Sequence, residues 1–223
     1  ASDLLSIINK KNKKNGSYSL EPGGQLEWAS PPLKDLHSIN EALNSHKALR
    51  KKIINQYDLK IINYGVEPEY MPGSIDLIDD LKYQLMNDRF EKNGTMGKWM
   101  MRNTASIQIN FDTASEREME EMVFIADCLQ PISAYLFSNS PYQNGKPVGN
   151  KNLRNLIWEN TDNIRCRNLI DHGIITSSQL IDKYIEYIFN VPGIFELDKS
   201  GLCTQTVKTL GDRLSELDEN NEL

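Results

Sequence analysis

The sequence is poor in cysteine and has no long apolar run. Its three cysteines, Cys128, Cys166 and Cys203, are widely spaced and form neither a CxxC pair nor a metal-ligand pattern. This usage predicts free thiols in a reducing, cytoplasmic compartment. No apolar run approaches the roughly 20 residues that a bilayer-spanning helix needs, so no membrane partner is expected.

A surplus of basic residues is also missing. The chain carries 25 Lys and Arg against 31 Asp and Glu, a formal net charge of -6. A protein that binds nucleic acid irrespective of sequence needs a net basic surface to neutralise phosphates. We therefore expect no nucleic-acid partner.

Several catalytic motifs are absent as well. There is no Walker P-loop, no GxGxxG, no HExxH and no GxSxG elbow. The three histidines, His37, His46 and His172, do not cluster in the sequence, and we interpret the first two as structural residues of a surface helix. Nucleophilic-triad chemistry therefore has no supporting constellation.

The segments that are present predict an α+β fold. The 223 residues are 39% hydrophobic, which is enough to bury the core of a single domain, residues 1–223. Ser115 and Glu118 form a capping box before the third helical pattern, and Pro131 is expected to kink or end that helix. The predicted helices are 32–57, 75–85, 115–131 and 178–188, with a strand at 61–66 and a long polar loop at 138–152.

The segment 17–28 alternates between apolar and polar residues. Glu21, Gln25 and Glu27 share one parity, and a bulge is predicted at 22–24, where the sequence reads Pro-Gly-Gly. Side chains alternate across a strand, so the two carboxylates are expected to point together at one face of a sheet.

A second segment, 104–112, alternates in the same way. Thr104, Gln108 and Asn110 lie on its polar side, and Gln108 would join the two glutamates if the segments belong to one sheet. A solvated face of an antiparallel sheet explains such alternation equally simply. On the alternative reading, two carboxylates and an amide form an oxygen-rich site suited to Mg²⁺ and to phosphoryl transfer from ATP.

Four blocks of the sequence carry a family resemblance. SLEPGGQLEWASPP, MMRNTASIQINFD, CLQPISAYLFSNSPYQNGKP and LRNLIWENTD occur in this order. They resemble successive signature blocks of glutamate–cysteine ligase of the plant and proteobacterial type, within the carboxylate–amine ligase superfamily. The similarity runs from about Ser17 to Pro192.

The resemblance implies a function and a fold. It implies ligation of the glutamate γ-carboxylate to the cysteine amine through γ-glutamyl phosphate, with ATP as co-substrate and Mg²⁺ as cofactor. The product would be γ-glutamylcysteine, for glutathione biosynthesis, and the partners would be L-glutamate, L-cysteine and ATP. The fold implied is similar to glutamine synthetase, a curved antiparallel sheet with helices packed on its convex face. A monomer or a homodimer is expected.

The resemblance also implies roles for individual residues. Glu21, Glu27 and Gln108 fall at positions expected to bind metal, and Glu21, Gln25 and Gln108 at positions expected to bind the nucleotide cofactor. Glu27 and Arg154 are the expected catalytic residues. The expected substrate-binding residues are Arg102, Thr104, Asn110 and Arg154.

Other features of the resemblance leave alternatives open. Met100 and Trp158 either line the pocket for the cysteine side chain or pack in the core. Arg102 sits one place from the arginine of the plant pattern. The chain opens on Ala1, and neither the N-terminal I-G-x-E-x-E motif nor the later R-G-A-D block of the family is found. We therefore expect a central portion of a longer enzyme, with another amine acceptor or a non-catalytic nucleotide- or amino-acid-binding module as alternatives.

Overall fold

A computed structural model describes residues 2–11, 16–93, 95–198 and 200–220. It is a mixed α+β structure in which helices predominate. The helices are α1 (Ser2–Lys11), α2 (Leu36–Tyr57), α3 (Leu81–Lys92), α4 (Gly97–Asn103), α5 (Glu116–Leu136), α6 (Leu153–Glu159), α7 (Leu180–Phe189) and α8 (Leu210–Glu219). The strands are β1 (Ser17–Leu20), β2 (Leu26–Ala29), β3 (Tyr142–Gln143), β4 (Lys146–Pro147), β5 (Phe195–Leu197) and β6 (Cys203–Gln205).

The strands pair only with their neighbours in sequence. Within the described residues they form three two-stranded antiparallel sheets, β1–β2, β3–β4 and β5–β6. Short 3₁₀ turns at Pro72–Ser74 and Leu169–His172 connect the helical segments. In the described part of the chain, no helix is both long and apolar enough to cross a membrane.

Helix α2 confirms the first predicted helix. It begins at Leu36, after the capping residue Asp35, and not at residue 32 as predicted. The Asp35 carboxylate accepts a hydrogen bond from the Ser38 backbone N–H at 2.8 Å, which satisfies one of the free donors at a helix start. The helix ends at Asp58, whose backbone is left-handed with φ of 48°. Such a residue directs the chain away from the helix axis.

Helix α5 confirms the predicted capping box and does not end at Pro131, where a kink or an end was predicted. The Ser115 side chain accepts from the Glu118 backbone N–H at 3.2 Å, and the Glu118 carboxylate accepts from the Ala114 backbone N–H at 2.6 Å. The helix nevertheless continues through Pro131 to Leu136. A proline removes one helical hydrogen bond, and that loss did not terminate this helix.

The other helix predictions differ in their boundaries. The predicted helix 75–85 was placed too early, because the Asp80 carboxylate caps α3 by accepting from the Lys82 backbone N–H at 3.0 Å. The predicted helix 178–188 is confirmed as α7. The predicted strand 61–66 was wrong, since only Val66 forms a bridge, with Thr104.

The predicted strand 104–112 was also wrong among the described residues. Only Thr104 is bridged, and beyond it the side chains are open to solvent, with Ile107 93% and Phe111 72% exposed. A strand requires a neighbour to pair its backbone N–H and C=O groups. No described strand lies beside this segment, so its alternation is not used in a sheet here.

Three small apolar clusters hold the described structure together. The first joins α1, β1 and α2 through Ile8, Tyr18 and Ile53. The second joins Val66 to α6 through Leu153 and Ile157, with Met100 of α4 packed against it. The third consists of Leu169, Ile174 and Leu180. The second cluster supports the candidate site.

Candidate functional site

The acidic pair lies at the tip of the β1–β2 hairpin. Leu20 and Leu26 form the last register pair, and the chain reverses between them. The Glu21 backbone N–H donates to the Gln25 carbonyl at 2.9 Å, and the Gly24 N–H donates to the Glu21 carbonyl at 2.8 Å. The predicted bulge at 22–24 was therefore wrong, because these residues form the turn itself.

The turn nonetheless brings the two predicted carboxyl groups together. Glu27 stands opposite Ser19 in the register, and its carboxylate accepts a hydrogen bond from the Ser19 hydroxyl at 2.9 Å. Glu21 lies two residues beyond Ser19, which makes it the diagonal cross-strand neighbour of Glu27. The shared face was correctly predicted, although the hairpin register produces it across two strands.

The electrostatics of the pair agree with this placement. Burial raises the pKa of Glu21, and the negative charge of Glu27 and a hydrogen bond between the two carboxyl groups raise it further, against an opposing effect of Lys82. Two carboxylates that face each other repel, so one holds its proton more tightly. A cation between them would relieve this repulsion.

The hairpin tip rests on the C-terminal end of α4. The Gln25 amide nitrogen donates to the Met101 carbonyl at 3.3 Å and to the Thr104 carbonyl at 3.1 Å. A methyl group on Gly23 would lie 2.6 Å from the Arg102 carbonyl oxygen and 2.7 Å from its Cα. Backbone therefore touches backbone here, and only glycine allows the approach.

Arg154 reaches the same segment from the other side. It lies in the first turn of α6, which Asn152 caps by accepting from the Asn155 N–H at 3.3 Å. Its Nε donates to the Ala105 carbonyl at 3.0 Å, and its guanidinium lies over the Trp158 ring at 5.4 Å. Burial lowers the pKa of Arg154. The consecutive carbonyls of Thr104 and Ala105 thus connect the hairpin tip to this arginine.

Backbone hydrogen bonds of Gly65 form the junction beside Arg154. The Gly65 carbonyl accepts from the Ala105 N–H at 3.1 Å, and the Gly65 N–H donates to the Asn139 carbonyl at 2.7 Å. A methyl group on Gly65 would lie 3.4 Å from the Arg154 Cδ. Three chain segments therefore meet at Gly65, beside the Arg154 side chain.

The remaining predicted site residues have other surroundings. The Thr104 hydroxyl donates to the Met100 carbonyl at 2.6 Å, which closes the end of α4. Gln108 and Asn110 are exposed and make no hydrogen bond to the described residues. Arg102 donates to three protein acceptors, at Pro72, Ile75 and Asn87. The structure thus places Glu21, Gln25 and Glu27 on one hairpin tip. That tip contacts Thr104, next to the Ala105 carbonyl that Arg154 binds.

The described residues contain no group of three or more His, Cys, Asp or Glu side chains placed to hold a metal ion. The acidic pair provides two carboxyl groups, one fewer than such a group contains. Met100 packs against the second apolar cluster. The Trp158 ring makes a cation–π contact with the Arg154 guanidinium. The three cysteines are free thiols.

Sequence reasoning missed Lys82 and Asn103. Lys82 forms an ion pair with Asp80 at 3.6 Å and its charge lowers the pKa of Glu21. Asn103 is only 3% exposed, donates to the Tyr70 carbonyl at 2.8 Å and keeps a buried amide oxygen without a partner in the described residues. No local signal in the sequence placed Lys82 near the hairpin tip.

The family follows from comparison with known proteins. The sequence profile of Glutamate-cysteine ligase family 2 (GCS2) matches residues 2–222. The chain belongs to this family.

Its curated relatives include several plant enzymes. The chloroplastic glutamate–cysteine ligase A of Oryza sativa subsp. indica is 34% identical over 190 residues, which are 85% of this chain and 38% of the relative. The chloroplastic enzyme of Arabidopsis thaliana is 34% identical over 194 residues, 87% of this chain and 37% of the relative. That of Medicago truncatula is 32% identical over 210 residues, 94% of this chain and 41% of the relative. The chain thus spans about two fifths of the length of the relatives it matches.

Proposed function

We propose that the chain is part of an enzyme that joins the γ-carboxylate of L-glutamate to the amine of L-cysteine. ATP is the co-substrate, γ-glutamyl phosphate the intermediate and γ-glutamylcysteine the product, in the first step of glutathione biosynthesis. The family membership supports this reaction. The single structural observation that carries it is the strand register at the hairpin tip, which makes Glu21 and Glu27 diagonal neighbours on one face.

The donor set of the acidic pair fits Mg²⁺. Carboxylate oxygens are its preferred protein ligands, and it commonly takes only one or two of them beside water and phosphate oxygens. Burial is the main cause of the raised pKa of Glu21, and the negative charge of Glu27 adds a repulsion that a divalent cation would remove. When bound, Mg²⁺ neutralises charge on the phosphoryl group that is being transferred. Gln25 holds the tip in place and is proposed to face the nucleotide.

Arg154 is the proposed partner of a substrate carboxylate. Its Nε is bound to the Ala105 carbonyl, and its terminal nitrogens have no hydrogen-bond partner in the described ranges. Packing on Trp158 holds the planar group in one orientation. A guanidinium with a free edge suits bidentate recognition of a carboxylate. Thr104, Gln108 and Asn110 are proposed to contact substrate or nucleotide along the segment that starts beside Arg154.

The proposed fold of the complete protein is similar to glutamine synthetase. In support, the side chains of Ile107, Ile109 and Phe111 alternate with polar ones in an exposed segment, as a strand with one buried face requires. The proposed location is cytoplasmic, although the relatives named above are chloroplastic. A monomer or homodimer is proposed.

The substitution Glu27→Gln tests the function in the full-length protein. ADP release is expected to require both glutamate and cysteine, and the substitution to remove at least about 99% of it, because it removes one charge from the metal-binding pair. The matched control is Glu41→Gln, on the exposed surface of α2, which should retain full activity. Mass detection of γ-glutamylcysteine identifies the acceptor. Full activity of Glu27→Gln would exclude the metal assignment, and a product built on another amine would exclude cysteine.

A further inference from the structure

We infer that Arg102 is a positioning residue, which holds the acidic hairpin tip in place and does not itself bind substrate. This inference rests on the proposed function of Glu21 and Glu27. It assigns Arg102 a role that differs from the substrate-binding role that the family resemblance implies.

The guanidinium of Arg102 is already bound to the protein. Its Nη1 donates to the carbonyls of Pro72 at 3.0 Å and Ile75 at 2.9 Å, and its Nη2 donates to the Asn87 side-chain oxygen at 2.9 Å. Its Nε is buried and has no partner among the residues described. Both terminal nitrogens are therefore engaged by neutral acceptors, from the 3₁₀ turn and from α3.

Arg102 reaches the hairpin tip by two routes. Its own backbone supports Gly23, which approaches so closely that a methyl group there would lie 2.6 Å from the Arg102 carbonyl oxygen. Its side chain also holds the segment around Ile75, and three residues later the Ile78 N–H donates to the Pro22 carbonyl at 2.9 Å. Pro22 and Gly23 directly follow Glu21, so both routes end beside the acidic pair.

The comparison with Arg154 separates the two roles. Arg154 commits one nitrogen, Nε, to a backbone carbonyl, which leaves its outer edge available to a substrate. Arg102 commits three of its five N–H groups to protein acceptors, and its Nε is buried, so no accessible edge with two free donors is left for a substrate carboxylate. Residues that orient metal ligands typically change metal affinity by about 10–100-fold when they are replaced.

The test measures cation and substrate affinity separately in the full-length protein. Mn²⁺ affinity is followed by electron paramagnetic resonance without substrates, and glutamate affinity by its KM at saturating Mg²⁺. Arg102→Lys keeps the positive charge but removes the planar guanidinium that binds three acceptors at once. The substitution is expected to weaken Mn²⁺ binding about tenfold, while the glutamate KM changes less than about twofold. Arg117→Lys, at an exposed arginine of α5, is the control and should change neither.

A second variant guards against misfolding of the first. Asn87→Ala removes one acceptor of the Arg102 guanidinium and should weaken Mn²⁺ binding in the same direction by a smaller factor. The inference stands if the loss of Mn²⁺ affinity in Arg102→Lys exceeds the rise in glutamate KM at least about fivefold, and it is overturned by any smaller ratio. Absence of Mn²⁺ binding in the unmodified protein would refute the proposed metal site itself, which distinguishes the two failures.

Discussion

Single side chains of the described structure show how packing changes ionisation. Glu21 has a raised pKa because it is partly buried and faces Glu27. His46 changes in the opposite direction, since burial and the charges of Arg50 and Lys47 lower its pKa. The His46 ring stacks against Trp28 at 4.6 Å, and its Nδ1 lies 2.7 Å from the Tyr18 hydroxyl. Tyr18 and Trp28 lie far from His46 in the sequence, whereas Glu27 is six residues from Glu21, and Lys47 and Arg50 lie on the same helix as His46.

The lowered pKa of His46 predicts a pH dependence of stability. The folded protein keeps His46 neutral at pH values where the unfolded chain protonates it, so the unfolded state binds more protons just below the ordinary pKa of about 6.5. The free energy of unfolding should therefore fall as the pH is lowered through that window. Urea unfolding at a series of pH values measures this slope.

Two variants on the same helix test this prediction. His46→Gln should flatten the slope of stability against pH below about 6.5, because the titrating group is gone. His37→Gln, at an exposed position of α2, should leave the slope unchanged. An undiminished slope in His46→Gln would assign the pH dependence to other groups.

At the level of elements, short hairpins and helix ends position the candidate site residues, where a continuous sheet was expected. The β1–β2 turn is held against α4 by Gln25 and by the contact of Gly23 with Arg102. The segment 104–112, by contrast, leaves Ile107 and Phe111 exposed, and no residue of α5 is fully buried. Elements that the local sequence pattern predicts equally well thus differ greatly in how much of their side-chain surface is buried.

The approach of Gly23 to α4 yields a prediction for the hairpin. Gly23→Ala places a methyl group within 2.7 Å of Arg102 backbone atoms, and backbone cannot move aside as a side chain would. The substitution should lower the free energy of unfolding by about 1–3 kcal/mol, a typical cost of overpacking. Denaturant unfolding measures it.

The control for this prediction is another glycine. An added methyl group at Gly73 meets nothing within 4 Å, so Gly73→Ala should be neutral or slightly stabilising. Equal stability of the two variants would contradict the close contact between the hairpin tip and α4.

For the whole molecule, stability depends on a few small clusters. The fully buried side chains include Ile157 of α6, which is 0% exposed and packs with Val66 and Leu153 beneath the Arg154 junction. Many other large apolar side chains remain exposed, among them Ile107 at 93%. The core is therefore divided into separate clusters. Truncation of one buried cluster member should lower the free energy of unfolding substantially.

Substitution of two isoleucines tests this division of the core. Ile157→Ala should lower the free energy of unfolding by about 2–5 kcal/mol, because it leaves a cavity among buried residues. Ile107→Ala removes the same atoms from an exposed side chain and should change stability by less than about 0.5 kcal/mol. Urea unfolding of both variants measures the difference, and similar losses would show that the segment around Ile107 is packed.

Local patterns in the sequence were sufficient for part of the fold. The capping box at Ser115 marked a helix start that the structure confirms, because a cap acts on N–H groups within three residues of itself. The start of α2 was predicted at residue 32, before the actual cap at Asp35. The alternation in 104–112 did not produce a strand, since pairing depends on a neighbouring segment and not on the pattern itself. Pro131 likewise did not end its helix, because one lost hydrogen bond is a small part of a long element.

The sequence by itself determined the chemistry of the candidate site: the paired carboxylates Glu21 and Glu27, the glycines beside them and the family to which the four blocks point. Only the tertiary structure decided which of the predicted residues meet. It brought the hairpin tip onto α4 and Arg154 onto the adjoining carbonyl, and it tied Arg102 into the protein. The physical reason is that side-chain identity is local, whereas contacts between residues 76 or 79 positions apart depend on how separate elements pack.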